Sequence, residues 1–171
     1  GIDKKIFFKR KINKKLFFNK YKINPNNKLI FFCGRIHKLK GAILLAKINK
    51  ILLEEGFNVT TVMAGENIHG EECLNICKKK LLILDYINPA EVSKFYNICD
   101  LFVFPSIFET GPQVVLEARA CGAVCVVSKY GGGKRIKKNG EDGIVLNNQI
   151  PENWSGEIIK LLRNKKKIKL M

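Results

Sequence analysis

Short apolar runs alternate along this chain with stretches of helical period. Leu29–Phe32 is a continuous apolar run, and Val59–Ala64, Leu81–Leu84, Leu101–Phe104, Val124–Val127 and Ile144–Leu146 are similarly short and largely apolar. Runs of this length, bounded by glycine, proline or charged residues, predict strands buried on both faces. Between the first two, Ile43, Leu44, Ile48, Ile51 and Leu52 fall on one face of a helix predicted over Gly41–Glu55, and Gly56 is a natural stop for it. Further helices are expected around Glu71–Lys79, from Pro89 to about Ile98, over Pro112–Cys121, and from Pro151 to about Lys165 through Trp154, Ile158, Ile159 and Leu162. Strands separated by helices need crossover connections. The expected fold class is therefore α/β, with a Rossmann-like, doubly wound parallel sheet.

The densest chemistry follows the Leu101–Phe104 strand. Pro105-Ser106 leads into a loop, and residues 109–117 read Glu-Thr-Gly-Pro-Gln-Val-Val-Leu-Glu. Glu109 falls at the loop mouth and Glu117 inside the helix. Carboxylates accept hydrogen bonds from sugar hydroxyls, and a helix N-terminus offers free N–H groups and a positive dipole end to phosphate. Pro112 has no N–H, which leaves the amides of Gly111, Gln113 and Val114. Upstream, the first strand ends in Cys33-Gly34-Arg35 and is followed by Lys40-Gly41. An arginine fork suits paired phosphate oxygens, and lysine adds a mobile charge. Gly131-Gly132-Gly133-Lys134-Arg135 is not a P-loop, because Arg135 stands where Ser or Thr is required. Its glycines suit either close approach of backbone to a phosphate or a plain flexible turn.

These three segments together resemble the glycosyl transferases group 1, family 4, retaining glycosyltransferases of the GT-B architecture. Glu109 and Glu117 match that family's Glu-x7-Glu motif, Gly34-Arg35 and Lys40-Gly41 its phosphate-holding pair, and residues 131–146 its glycine loop with Asn139-Gly140 and Gly143 before the last strand. The resemblance implies one half of a GT-B fold, the donor-binding half. Gly1-Ile2-Asp3 resembles the Gly-Val-Asp with which that half begins. The implied organisation is a basic leader over residues 1–27, following an interdomain linker, then a nucleotide-sugar-binding domain over residues 28–171, with the N-terminal acceptor domain absent.

By the same resemblance, the donor is a nucleotide-diphospho-sugar, UDP-, GDP- or ADP-linked. Arg35 and Lys40 would hold the diphosphate beside Gly34 and the Thr110–Val114 helix end. Glu117 would bind the ribose, Tyr86 and Ile87 would lie near the base, and Glu109 would face the sugar. Glu109, Arg35 and Lys40 are thus the implied catalytic groups. Transfer to an acceptor hydroxyl would retain configuration, and neither metal nor cofactor is implied. The alternatives are a noncatalytic nucleotide-sugar-binding fragment and a GT-B-type epimerase or phosphorylase. The epimerases lack this combination of Arg, Lys and Glu-x7-Glu, and the phosphorylases need a pyridoxal-phosphate lysine in a longer chain.

Composition refines the picture. With 171 residues and 46% hydrophobic content, the length suits one domain that buries about 70% of its unfolded surface. The net charge of +16 suggests nucleic acid, yet residues 1–22 and 160–171 carry most of it, and residues 23–159 are nearly neutral. Neither flank has an RNA-binding signature, so no nucleic-acid partner is expected. The flanks suit either an anionic membrane surface or solvated arms. No apolar run reaches about 18 residues, so no transmembrane helix is expected. The expected location is cytoplasmic, peripheral on the inner membrane face if the flanks bind lipid. Six cysteines and two histidines have no zinc-ligand spacing, and reduced thiols are the default.

Overall fold

The computed structural model describes residues 1–171, the side chain of Lys165 excepted. Six strands form one sheet: β1 (Lys28–Cys33), β2 (Val59–Ala64), β3 (Leu82–Leu84), β4 (Leu101–Phe104), β5 (Cys125–Ser128) and β6 (Ile144–Leu146). All pairings are parallel, in the order β3-β2-β1-β4-β5-β6. This is the doubly wound order, and the direction of winding reverses between β1 and β4. Their register pairs Ile30 with Leu101 and Phe31 with Phe102. Leu29–Phe32 and all of β4 are buried, as continuous apolar runs require.

The helices are α1 (Lys14–Lys20), α2 (Ala42–Glu54), α3 (Gly70–Ile76), α4 (Pro89–Ile98), α5 (Gln113–Ala120), α6 (Pro151–Arg163) and α7 (Lys165–Leu170). Asn88 caps α4 by accepting the Glu91 N–H at 2.9 Å, with Pro89 in the first turn. In α6 the buried Trp154 donates its indole N–H to the Asn148 carbonyl at 2.8 Å. Ile158, Leu161 and Leu162 continue the buried stripe toward α2. Among the described residues, no helix is long and apolar enough to cross a membrane.

Strands β1 and β3 and helices α2 and α5 differ from their expected spans by one residue at one or both ends, and three other shifts have a visible cause. The helix expected around Glu71–Lys79 ends at Ile76, because Lys78 and Lys79 turn left-handed, at φ 50° and 61°. The Lys79 N–H closes that turn on the Leu74 carbonyl. The last helix breaks at Asn164, whose side chain accepts the Lys167 N–H and opens α7. Strand β5 starts one residue late, because the Gly122 and Ala123 N–H groups are still closing α5 on the Arg119 and Ala118 carbonyls.

Residues 1–27 do not lie free as a leader or a solvated arm. Phe7, Phe17, Phe18 and Ile23 are buried in the same core as the sheet. Phe17 packs edge-on against Phe95 at 4.7 Å, and Phe95 stacks on Phe31 of β1 at 4.6 Å. Asn97 of α4 pins the segment by accepting the Arg10 N–H at 2.7 Å and donating to the Phe8 carbonyl at 3.0 Å. Lysines surround the phenylalanines of α1: Lys14 and Lys15 are exposed, and Lys20 Nζ pairs with Glu91 of α4 at 2.5 Å.

Candidate donor-binding site

The site lies at the carboxyl edge of the sheet, over the β1/β4 reversal, where open α/β sheets bind ligands. The loop after β1 carries Arg35 and Lys40, and the loop after β4 carries Glu109. Two close approaches shape this edge. Gly41 lies at φ 85°, and a Cβ there would stand 2.3 Å from the Pro105 carbonyl oxygen. Gly65, at φ 144°, leaves room for the Gly34 carbonyl, which a Cβ would meet at 2.0 Å. Only glycine fits either position, and each lets two strand-end loops touch.

A cleft of about 390 Å³ opens between these loops. It is lined by Gly34 and Arg35 after β1, by Gly65 and Glu66 after β2, by Tyr86 and Ile87 after β3, and by Glu117 of α5. The structure thus brings five of the sequence-predicted residues together: Gly34, Arg35, Tyr86, Ile87 and Glu117. Tyr86 is 77% exposed, an open ring face at the rim. The Arg35 guanidinium has no ion-pair or hydrogen-bond partner among the described residues, and the residue is exposed. Glu117 is half-buried and also lacks a protein partner among them. Burial therefore raises its pKa above the usual carboxylate range. Cys33 also lines the cleft, and burial pushes its thiol up to about 12, so it is a neutral wall.

Lys40, Glu109, Thr110, Gly111, Gln113 and Val114 do not line this cleft. Lys40 and Glu109 meet each other, with Nζ 2.5 Å from Oε1 and both side chains largely shielded. Ser106, fully buried, lies within hydrogen-bond reach of Glu109 Oε1 at 3.3 Å and of the Leu39 carbonyl at 3.2 Å. Thr110, Gly111 and Gln113 are exposed. Helix α5 has no side-chain cap and no acid in its first turn, which leaves the Gln113 and Val114 amides open to an anion.

The triple glycine serves packing. A Cβ on Gly131 would meet Ser128 Oγ at 2.3 Å and the Ser106 carbonyl at 2.6 Å, and one on Gly132 would meet Val115 at 2.8 Å. The Gly131 N–H is already taken by Ser128 Oγ at 2.7 Å. Gly131 is buried against Ser106 of the β4–α5 loop and Gly132 against Val115 of α5 and Val127 of β5, and the reading of them as a phosphate cradle gives way to those contacts.

Sequence reasoning missed Phe7, Ala64, Gly65, Glu66, Pro89 and Val92 in the cleft wall. Gly65, directly after an apolar strand, was the one local sign. Phe7 reaches the cleft from 26 residues before Cys33, which no local pattern reveals. Among the described residues, no three His, Cys, Asp or Glu side chains gather closely enough to hold a metal ion. All six cysteines are free thiols.

The family model described as glycosyl transferases group 1 matches residues 13–171. The chain is 29% identical over 159 residues to the D-inositol 3-phosphate glycosyltransferase of Segniliparus rotundus, covering 87% of this chain and 35% of that protein. The chain thus spans about a third of that relative's length. The crystal structure of the C-terminal domain of a glycosyl transferase group 1 family protein (LpcC) from Francisella tularensis superposes with a TM-score of 0.85 at 20% identity, covering 99% of this chain and 92% of that one. Anabaena Alr3699/HepE in complex with UDP-glucose superposes with a TM-score of 0.84 at 18% identity, covering 99% of this chain and 48% of that one. The reversal-point cleft thus sits in a fold shared with GT-B proteins, and the chain belongs to the glycosyl transferases group 1 family.

Proposed function

We propose that this chain is the donor-binding half of a retaining glycosyltransferase that moves a sugar from a nucleotide-diphospho-sugar to an acceptor hydroxyl. The observation that carries this reading is Glu117, whose half-buried carboxylate has no protein partner among the described residues and which shares a cleft with Arg35, whose guanidinium is likewise unpaired among them, and with exposed Tyr86. A carboxylate held in that state favours a ligand that brings hydroxyl donors, as a ribose does. Arg35 supplies a fork for phosphate oxygens, and Tyr86 and Ile87 supply a flat apolar rim for a base. UDP and UDP-glucose are the ligands named for the Anabaena neighbour, which makes UDP the first nucleotide to test.

In this reading the diphosphate extends from Arg35 toward Lys40 and the α5 N-terminus. Those groups stabilise negative charge as the bond from the anomeric carbon to the diphosphate breaks. Glu109 then lies beside the sugar, where it holds hydroxyls and offsets the positive charge developing at the anomeric carbon. The acceptor oxygen bonds to that carbon on the face the diphosphate leaves, and its proton departs as the bond forms. Protein cations and helix amides carry the leaving-group charge without a divalent ion. The acceptor, and any base that takes its proton, belong to a second domain. The basic flanks suit the inner face of an anionic membrane, with Leu170 of α7 79% exposed among Lys166, Lys167 and Lys169.

Calorimetric titration with UDP, GDP, ADP and their sugars, with Mg²⁺ and with EDTA, tests this. One nucleotide diphosphate should bind equally in both conditions, and binding should drop in Glu117→Ala and Arg35→Ala. No binding, or binding that both folded variants retain in full, would count against the reading.

A further inference from the structure

His37 and His69 have no part in the donor contacts above, yet their rings lie against each other with centroids 4.6 Å apart. Each ring accepts a backbone N–H from the same turn. Leu39 donates to His37 Nδ1 at 3.1 Å, and Lys38 donates to His69 Nδ1 at 3.0 Å. These amides open the 3-10 turn Lys38–Lys40, where no carbonyl of the turn can reach them. The turn is tied at its other side too. The Leu39 carbonyl accepts the Ile107 N–H at 3.0 Å, and the Ser106 hydroxyl is within reach of it. His69 is itself fixed, since its N–H bonds to the Ile36 carbonyl at 2.8 Å and Ile36 bridges to Asn67. The turn that presents Lys40 is thus suspended between the β2–α3 loop and the β4–α5 loop, with two imidazoles as its hooks.

A neutral imidazole that accepts at Nδ1 carries its proton on Nε2. A second proton has only Nδ1 to go to. There it faces a backbone N–H, and an acceptor becomes a donor aimed at a donor.

We propose that His37 and His69 are positioning residues for Lys40, holding the Lys38–Lys40 turn through unprotonated Nδ1 atoms and releasing it when either ring takes a second proton. The role of Lys40 as a diphosphate ligand rests on the function proposed above, while the hold on the turn does not. The charges around the pair come from several elements. Arg35, Lys38 and Lys40 act on His37 from its own loop, and His69 faces it from the β2–α3 loop. Glu71 and Glu72 follow His69 in the first turn of α3, and Glu109 pairs with Lys40 from the β4–α5 loop. Burial, then the neighbouring His69 and the cations, hold His37 below its ordinary pKa, so its hook stays neutral at pH 7.

The test uses the ¹⁵N-labelled chain. Long-range proton–nitrogen spectra near pH 7.5 should show both rings with the proton on Nε2. On titration toward about pH 5, the Lys38 and Leu39 amides should follow the ring curves and lose exchange protection. His37→Asn and His69→Asn keep a side-chain oxygen acceptor but do not titrate, so the double variant should fold and lose the pH response of both amides. Affinity for UDP is then measured at both pH values. Wild type should weaken several-fold more than the double variant on acidification, and the double variant supplies the control for the nucleotide's own ionisation. His37→Ala should weaken UDP at neutral pH, and His37→Asn should restore it. Rings protonated on Nδ1, or amides that do not follow them, overturn the proposal. So does an equal loss of UDP affinity in wild type and double variant. If no nucleotide binds at either pH, the donor reading fails instead, and the ring and amide titrations still decide whether the histidines hold the turn.

Discussion

Lys40 Nζ and Glu109 Oε1 are 2.5 Å apart, so the cation assigned to the diphosphate and the carboxylate assigned to the sugar neutralise each other before any donor arrives. Their loops follow β1 and β4, the strands on either side of the winding reversal. Both side chains are largely shielded, and Ser106 lies within reach of the same Glu109 oxygen. A donor therefore has to share or displace this pair. Glu109→Gln removes the internal competitor for Lys40 while keeping the side-chain shape. Nucleotide diphosphate should bind this variant more tightly, by up to about 1 kcal/mol, roughly fivefold, the upper range for a partly exposed ion pair. Under the proposed function, sugar transfer measured with an acceptor-binding domain supplied should fall sharply. Equal or weaker binding of UDP in Glu109→Gln would mean that the pair does not restrain Lys40.

Glu117 should show stability and binding moving in opposite directions. Its pKa is raised by burial, so charge on it costs stability in the folded chain. That cost is absent below the unfolded pKa, grows as pH rises through the folded pKa, and is fully present above it. Glu117→Gln should therefore melt higher than wild type near neutral pH, and the difference should vanish below about pH 4. The same change should weaken the nucleotide by about 1–3 kcal/mol through lost charged hydrogen bonds to hydroxyls. Thermal melts across pH, paired with calorimetry, check both. A variant that melts lower at neutral pH would place Glu117 in a structural bond instead.

Gly41, which opens α2, and Gly65, which follows β2, should tolerate almost nothing. Gly41→Ala puts a methyl 2.3 Å from the Pro105 carbonyl in a left-handed backbone, and Gly65→Ala puts one 2.0 Å from that of Gly34. In both cases the obstacle is backbone, which cannot rotate away. Each should lose about 2 kcal/mol or more in urea unfolding, well above an ordinary surface substitution. Gly111→Ala is the control. Among the described residues nothing lies within 4 Å of its Cβ position, so its stability should change little while the helix end it precedes stays open.

How much of this was readable in advance depended on range. The strands β2, β4 and β6 and helix α4 coincide with their expected spans, because each is a run whose pattern is complete within itself. Arg35 was readable because a parallel sheet sends the loops after its strands to one edge, whereas Tyr86 and Ile87 were expected there only through the family resemblance. The Lys40–Glu109 pair and the meeting of His37 with His69 were not, since they join loops 69 and 32 residues apart in sequence. The triple glycine looked like a ligand loop because sequence shows the absence of a side chain and not what fills the space. In α1, Phe17 and Phe18 stand among lysines, so charge masked an amphipathic helix of seven residues.

That last misreading leads to a prediction about the leader. The segment before β1 buries Phe7, Phe17, Phe18 and Ile23, and it covers the aromatic cluster of Phe31, Phe95 and Tyr96. Phe18 is fully buried, and Phe18→Ala should cost about 3–5 kcal/mol. Charge-neutralising changes at Lys4, Lys5 and Lys15 on the same segment should stay within about 0.5 kcal/mol, since those side chains are exposed. Phe7 makes the stronger case, because it is both buried in the core and part of the cleft wall beside Glu117. Phe7→Leu preserves apolar burial but changes the wall, so it should lower nucleotide affinity with only a small loss of stability. Urea unfolding and UDP titration on these variants separate the two roles. If Phe7→Leu binds like wild type while Phe18→Ala still unfolds early, the segment serves the core alone and takes no part in the donor site.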